Sequence, residues 1–202
     1  MTWLASPSSG DWNTGANWSS GTVPAANDVL FFGSSAVTTL NNNIGERTFN
    51  GLTFTADAAA YTLTGSRINL GGGITNNSTH LQTLEMNLGS VSSQVRTWTM
   101  TAGGGDFLFT GNLLAGGILT AGSGTLTLAG TNTAANNALT IGADTTLRLS
   151  SAANLTDGSV NSTLGINLGG RLELRHDTGF SLTAVNNATN GLRDVRLNGG
   201  ST

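Results

Sequence analysis

The sequence predicts an all-β chain wound as a parallel β-helix (a single-stranded β-solenoid), and three observations carry that reading. First, apolar and polar residues alternate with period two in short runs such as Leu126-Thr-Leu128 and Leu147-Arg-Leu149. Alternation of this kind turns one face inward and the other outward. Second, the runs recur. Ile68/Leu70, Met86/Leu88, Phe107/Phe109, Leu126/Leu128, Leu147/Leu149, Leu172/Leu174 and Val195/Leu197 follow one another, with their second members 18, 21, 19, 21, 25 and 23 residues apart. A unit of that length cannot bury its own apolar edge, so the units must stack. Third, no apolar i, i+3, i+4, i+7 pattern extends beyond two turns, and β-branched residues and Gly interrupt every window.

Composition narrows the function classes. The 202 residues carry a formal net charge of −3, with only 9% charged residues, against about 25% in an average soluble domain. All eight basic residues are Arg, and they form no cluster along the sequence, so no nucleic-acid partner is expected. Cysteine is absent, which excludes disulfides and thiolate chemistry. No apolar run reaches the roughly 18 residues of a membrane-spanning helix, and no signal peptide is visible. Membrane insertion is therefore not expected, and the chain reads either as cytosolic or as a mature or recombinant segment, with the second reading favoured.

Residues 1–33 read as an N-terminal cap. Trp3, Trp12 and Trp18, three of the four tryptophans, fall in this loop-rich stretch. The stretch ends in a strand containing Phe31 and Phe32. Large aromatics here would cover an open end whose backbone groups otherwise invite edge pairing. A second use for the same tryptophans is as platforms for sugar rings. Residues 34–202 read as the solenoid. Early strands are expected at 37–40, 49–55 and 61–64. Asn41-Asn42-Asn43 reads as a turn, because Asn tolerates left-handed backbone, and residues 57–60 read as a corner.

From there the ladder is explicit. Residues 118–128, 139–149 and 164–174 each span eleven residues with an apolar start, a Gly-containing corner and a terminal apolar pair. Two strands per rung are expected, with Ile68, Leu70, Met86, Leu88, Phe107, Phe109, Leu126, Leu128, Leu147, Leu149, Leu172 and Leu174 as the inward column. The variable stretches 131–138 and 150–163 should project as loops. Asn-Gly and Asp-Gly pairs do not fall regularly between strands, which argues against a sandwich or up-and-down barrel. Trp98, with polar neighbours on each side, is expected to fill the core.

Gly124-Thr-Leu-Thr-Leu-Ala-Gly-Thr-Asn-Thr133, Ala138-Leu-Thr-Ile-Gly142 and Thr146-Leu-Arg-Leu149 together resemble the autotransporter-associated β-strand repeat. The opening from Trp12 to Trp18, and the run from Asn27 to Phe32, resemble the segment that often precedes such repeats. The resemblance covers nearly the whole chain. It implies a right-handed parallel β-helix carried outside a bacterial cell, often in large repetitive surface proteins. The chain departs from the family's full pattern in lacking a secretion signal and a C-terminal translocator barrel. Its ladder is still running at Gly199-Gly200-Ser201-Thr202, so no C-terminal cap is expected.

No catalytic, cofactor or metal site is expected. His80 and His176 lie far apart and read as structural. Gly103-Gly104-Gly105-Asp106 is one imperfect copy of the calcium nonapeptide and reads as a turn. The sequons at Asn17, Asn76, Asn77 and Asn161 are expected to be mostly unmodified. Asp106, Glu173, Asp177 and Asp194 would form a carboxylate cluster only under one particular alignment of the rungs. Thr127, Arg148, Glu173 and Arg196 should share an outward column of ion pairs worth about 0–1 kcal/mol each. The function that follows is structural: an extracellular stalk or adhesin segment, or a fibre subunit stacking head to tail through Val195–Leu197 onto the cap of another copy. Partners would be further repeats, other copies, or surface glycans. The alternative is a carbohydrate-binding module on the same scaffold.

Overall fold

Three parallel sheets make up the fold, seen in a computed structural model that describes residues 1–91, 94–101, 103, 105–114, 116–130, 138–150, 163–166, 170–175 and 195–197. The first sheet stacks β1 (Val29–Phe32), β4 (Gly51–Phe54), β7 (Ile74–Asn76), β10 (Arg96–Met100), β12 (Ile118–Gly122), β14 (Ala138–Ile141) and β16 (Thr163–Ile166). The second stacks β2 (Thr39–Asn42), β5 (Thr62–Gly65), β8 (Gln82–Leu84), β11 (Phe107–Phe109), β13 (Thr125–Leu128), β15 (Thr146–Leu149), β17 (Arg171–Leu174) and β18 (Val195–Leu197). The third holds β3 (Arg47–Phe49), β6 (Ile68–Leu70) and β9 (Leu88–Ser90). The chain visits the three in turn, and each strand pairs in parallel with the strand one coil earlier, as β13 does with β11 and β15 with β13. This is a β-solenoid. Its eight-stranded sheet spans roughly 34 Å at the usual strand spacing. No helix among the described residues is long and apolar enough to cross a membrane.

Rungs have three sides in the first half of the chain, not two. The third sheet explains two misplacements in the expected ladder. Ile68/Leu70 and Met86/Leu88 do not lie in the column of Phe107/Phe109. Ile68 and Leu70 belong to β6, where Ile68 pairs with Leu88 in β9, and Met86 sits on the bend before β9. The true second-sheet column runs Leu40, Leu63, Leu84, Phe109, Leu128, Leu149, Leu174 and Leu197. Beside it Gln82, Phe107, Leu126, Leu147, Leu172 and Val195 are aligned. All the expected ladder residues whose side chains are described are nonetheless buried, at 2% exposure or less. They line one core from different walls.

Other local expectations divide the same way. The expected strand at 49–55 is two strands, β3 and β4, broken at Asn50 where the chain turns from the third sheet to the first. Asn41 and Asn42 are not a turn but the end of β2. Asn42 points inward, and its amide donates to the Ser66 carbonyl at 2.8 Å. The Gly-containing corner expected within residues 139–149 is present at Gly142-Ala143-Asp144, with Asp144 in the left-handed region at φ 59°. Gly122 turns the previous corner at φ 92°, and a Cβ there would meet the Met100 carbonyl at 1.8 Å. The loops expected at 131–138 and 150–163 lie almost wholly outside the described residues.

The core is aromatic at its N-terminal end and aliphatic beyond. An unbroken series of ring contacts runs from Trp3 and Trp18 (5.0 Å) through Trp18–Phe32, Phe32–Phe54 (5.2 Å) and Phe54–Phe107 to Trp98 and Phe109. Trp98 is 1% exposed, in the core as expected. Of the 12 aromatic residues only Phe180 lies beyond Phe109. One polar plug interrupts this core. Gln82 accepts from the Tyr61 amide at 2.9 Å and donates to the Ala59 carbonyl at 3.0 Å. Asn76 donates to the carbonyls of His80 and Asp106 at 2.9 and 3.1 Å. Both side chains satisfy corner carbonyls and amides that the stacked strands cannot reach, so their burial does not leave open hydrogen-bonding groups.

Candidate functional site

The best-defined assembly at the surface is the N-terminal end of the stack. A parallel β-helix starts with a rung that has no predecessor, so three strand edges need partners there. Residues 1–28 supply all three. On the first sheet, the Phe31 amide donates to the Met1 carbonyl at 2.8 Å, and the Trp3 amide donates to the Phe31 carbonyl at 2.9 Å. On the second, the Asn41 amide donates to the Gly10 carbonyl and Trp12 donates back to Asn41, at 2.8 and 3.0 Å. On the third, Asn27 donates to Thr48 and Asn50 donates to Asp28, both at 2.9 Å.

The cap is then closed over itself. Trp3 bridges Trp18 in antiparallel fashion, the one antiparallel bridge among the described residues. Asn17 seals the other side. Its side chain, fully buried, accepts from the Ser8 amide at 2.9 Å and donates to the carbonyls of Ser9 and Asp11 at 3.1 Å. Trp3, Trp12 and Trp18 are at most 1% exposed, and Trp18 donates its indole N–H to the Trp12 carbonyl at 3.0 Å. The sugar-platform reading of these tryptophans is thereby corrected. No indole face is open, because the rings close the end of the core. Phe32 is buried with them, while Phe31 is half-buried on the outward side of β1. The cap also ends earlier than expected, because β1 already belongs to the first rung.

Val195 and Leu197 lie on β18, which pairs with β17 and ends the second sheet. Thr127, Arg148, Glu173 and Arg196 are indeed register partners in one column. Arg148 Nε donates to Glu173 at 2.8 Å. Asp106 is engaged by the Thr125 amide at 2.7 Å. It also precedes β11, three strands from the Glu173 of β17. That is roughly 14 Å at the usual strand spacing, beyond the separation a glycosidase carboxylate pair needs. Asp177, Asp194, His176 and Asn161 lie outside the described residues. His80 is exposed, with its carbonyl tied to Asn76. Among the described residues no three His, Asp or Glu side chains gather as a metal cluster. Asn17 and Asn76, two of the sequon asparagines, are fully buried and hydrogen-bonded, so neither amide is available for glycosylation. The shallow dent by Met1, Ser20 and Val23 contains one carboxylate, Asp28, already bonded to the Ala25 amide at 2.7 Å.

Sequence reasoning missed one grouping. The arginines are scattered in sequence, yet the rung repeat brings Arg148, Arg171 and Arg175 to one face of the second sheet. The signal was present in the spacing. Positions 148 and 173 differ by one rung, and 171, 173 and 175 alternate on a strand.

The Arg67 guanidinium and the Asn69 amide hold the Glu46 carboxyl below its ordinary range. The Thr55 hydroxyl and the Ser34 amide do the same for Asp57. Tyr61 moves the other way. Burial, helped by the charge of Asp57, pushes its phenol up to about 12, and its hydroxyl donates to the Gly33 carbonyl at 2.8 Å. An unfolded chain loses this proton near pH 10, the folded chain only near pH 12. The folded state thus binds more protons in that window, and stability falls as pH rises through it, by about 2–3 kcal/mol in total. Tyr61 is the sole tyrosine, and the chain holds no Lys or Cys, so the tyrosinate absorbance reports this group alone. Denaturant midpoints should drop between pH 10 and 12, and Tyr61→Phe should flatten that slope. A slope unchanged in Tyr61→Phe would show that another group drives it.

Fold and site together define the class: a β-solenoid closed at its N-terminal end by an aromatic cap. In comparison with known proteins, no family model, no curated protein and no solved structure matches the chain.

Proposed function

We propose that the chain is a structural module, a stiff solenoid segment in the stalk or adhesin of a bacterial surface protein. The observation that carries this reading is the cap, which hydrogen-bonds to all three first-rung edges. A stack so closed holds its shape at that end without a partner, which suits an element that sets distance and presents its outer faces. The resemblance to autotransporter-associated repeats supplies the setting, outside the cell.

The cap also supports one of the two structural roles over the other. Head-to-tail stacking requires free edges on the first rung to receive Val195–Leu197 of another copy. Those edges are taken, and the outermost layer of the cap runs antiparallel at Trp3 and Trp18, against the parallel register of the ladder. A segment of a longer solenoid is therefore favoured over a fibre subunit. Sedimentation and electron microscopy over a wide concentration range test it. Rods of constant length are expected; filaments that lengthen with concentration would restore the fibre reading.

A further inference from the structure

We infer that the outward face of the second sheet binds an acidic polysaccharide through Arg148, Arg171 and Arg175, arranged around Glu173. Arg148 faces Glu173 across the β15–β17 pairing, and Arg171 is the register partner of Thr146. Residues 171, 173 and 175 alternate along one strand direction, so they share a side. Glu173, only 13% exposed, accepts from Arg148 Nε at 2.8 Å and lies 3.7 Å from Arg175 Nε. Each contact uses Nε, so the carboxylate acts as a strut that holds two guanidinium groups in place. Their Nη groups, and the exposed side chain of Arg171, have no protein acceptor among the described residues. Among the described residues of β15, β17 and the position after it, three arginines stand against one glutamate, in a chain whose net charge is −3, and Asp106 lies three strands away and is bonded to the Thr125 amide. Asp144, four residues before Arg148, sits on the corner before β15 and not on the strand. Arg196 is the register partner of Glu173 in β18.

The chemistry selects the occupant. Guanidinium forks recognise carboxylates in bidentate fashion, and the outward hydroxyls of Thr127 and Thr146 stand beside them for sugar hydroxyls. Single-stranded nucleic acid needs an aromatic surface for stacking. Among the described aromatics only Phe31 is not buried, and it lies on the first sheet. A membrane surface would need an apolar rim, and the exposed large apolar residues, Leu81, Val91 and Val95, lie on neither β15 nor β17. A linear polyuronate fits, its carboxylates spaced along the arginines. This inference stands on the arginines and does not depend on the stalk reading.

Calorimetric titration of the full chain with a size-defined oligogalacturonate tests it, with a dextran oligosaccharide as neutral control and a short DNA duplex as competing polyanion. The uronate should bind, more weakly as salt rises, and dextran should not. Arg171→Gln and Arg175→Gln should each weaken binding roughly tenfold. Arg67→Gln, whose ion pair with Glu46 lies away from this face, should leave binding unchanged. Both tested arginines are exposed, and a circular dichroism spectrum matching the parent's confirms that each variant folds. Should one fail to fold, Arg171→Lys, which keeps the charge and loses the fork, serves in its place with the same weakening expected. No uronate binding at low salt, an equal loss in Arg67→Gln, or tighter binding of the duplex than of the uronate would overturn the inference.

Discussion

Trp18→Ala is expected to make the chain self-associate more than its parent does. Trp18 is 1% exposed and touches Trp3, Trp12 and Phe32 at ring-centroid distances of 5.0, 5.8 and 6.2 Å. Truncating a buried tryptophan costs about 3–5 kcal/mol, and here the loss falls on the segment that occupies three strand edges. Local opening of residues 1–28 would bare β1, β2 and β3 together, and unpaired parallel edges recruit other chains. The informative comparison is Trp98→Ala. It removes a similar volume from the interior but leaves the cap intact, so it should lower the melting temperature without raising light scattering. If Trp18→Ala scatters no more than Trp98→Ala at matched stability, the cap is not what keeps the chain apart.

Leu128→Asp is expected to unfold the later rungs while the earlier ones survive. Leu128 is 2% exposed and stacks between Phe109 and Leu149 in register. The change removes apolar burial and places a carboxylate where no cation reaches it, and together these cost several kcal/mol. In a stack each rung is stabilised mainly by its neighbours, so the damage spreads to the rungs on either side before it reaches the cap. Limited proteolysis read by mass spectrometry should yield a protected fragment that begins at the cap and ends near β11. Thr127→Asp, one residue away but outward, should stay within about 0.5 kcal/mol of the parent. Wild-type cooperativity in Leu128→Asp would contradict the stacked core.

How much of this was legible in the chain depends on the half considered. From Phe107 onward the apolar pairs at 107/109, 126/128, 147/149 and 172/174 fall on adjacent strands of the second sheet, because every inward position there is apolar. Earlier, the same wall carries Asn42 and Gln82 at inward positions, and β5 ends in the exposed Gly65. Polar residues there interrupt the period-two pattern, and the neighbouring apolar pairs Ile68/Leu70 and Met86/Leu88 belong to the third sheet and the bend before β9. The burial of Asn42 and Gln82 is possible only because corner backbone groups from other rungs meet their amides, a long-range fact that no local window holds. The cap was visible as a cluster of tryptophans, but its method was not. Sequence suggested rings covering an end, whereas the edges are closed by backbone bonds, with Asn17 binding residues 8–11. The arginine face was hidden for a related reason: neighbours across rungs stand 25 residues apart, and the interval varies.

The uneven distribution of rings has a consequence for how the chain is made. Nearly all the aromatic burial lies in the first 109 residues, so this portion can collapse and lock while later residues are still being synthesised. Each subsequent coil then meets a finished surface with its hydrogen-bonding groups already in register, and needs only aliphatic contacts and backbone pairing to add on. Nucleation is costly and elongation is not, and the sequence concentrates its most strongly stabilising side chains where the first is required. The end that leaves the ribosome first thus serves as the mould for everything that follows.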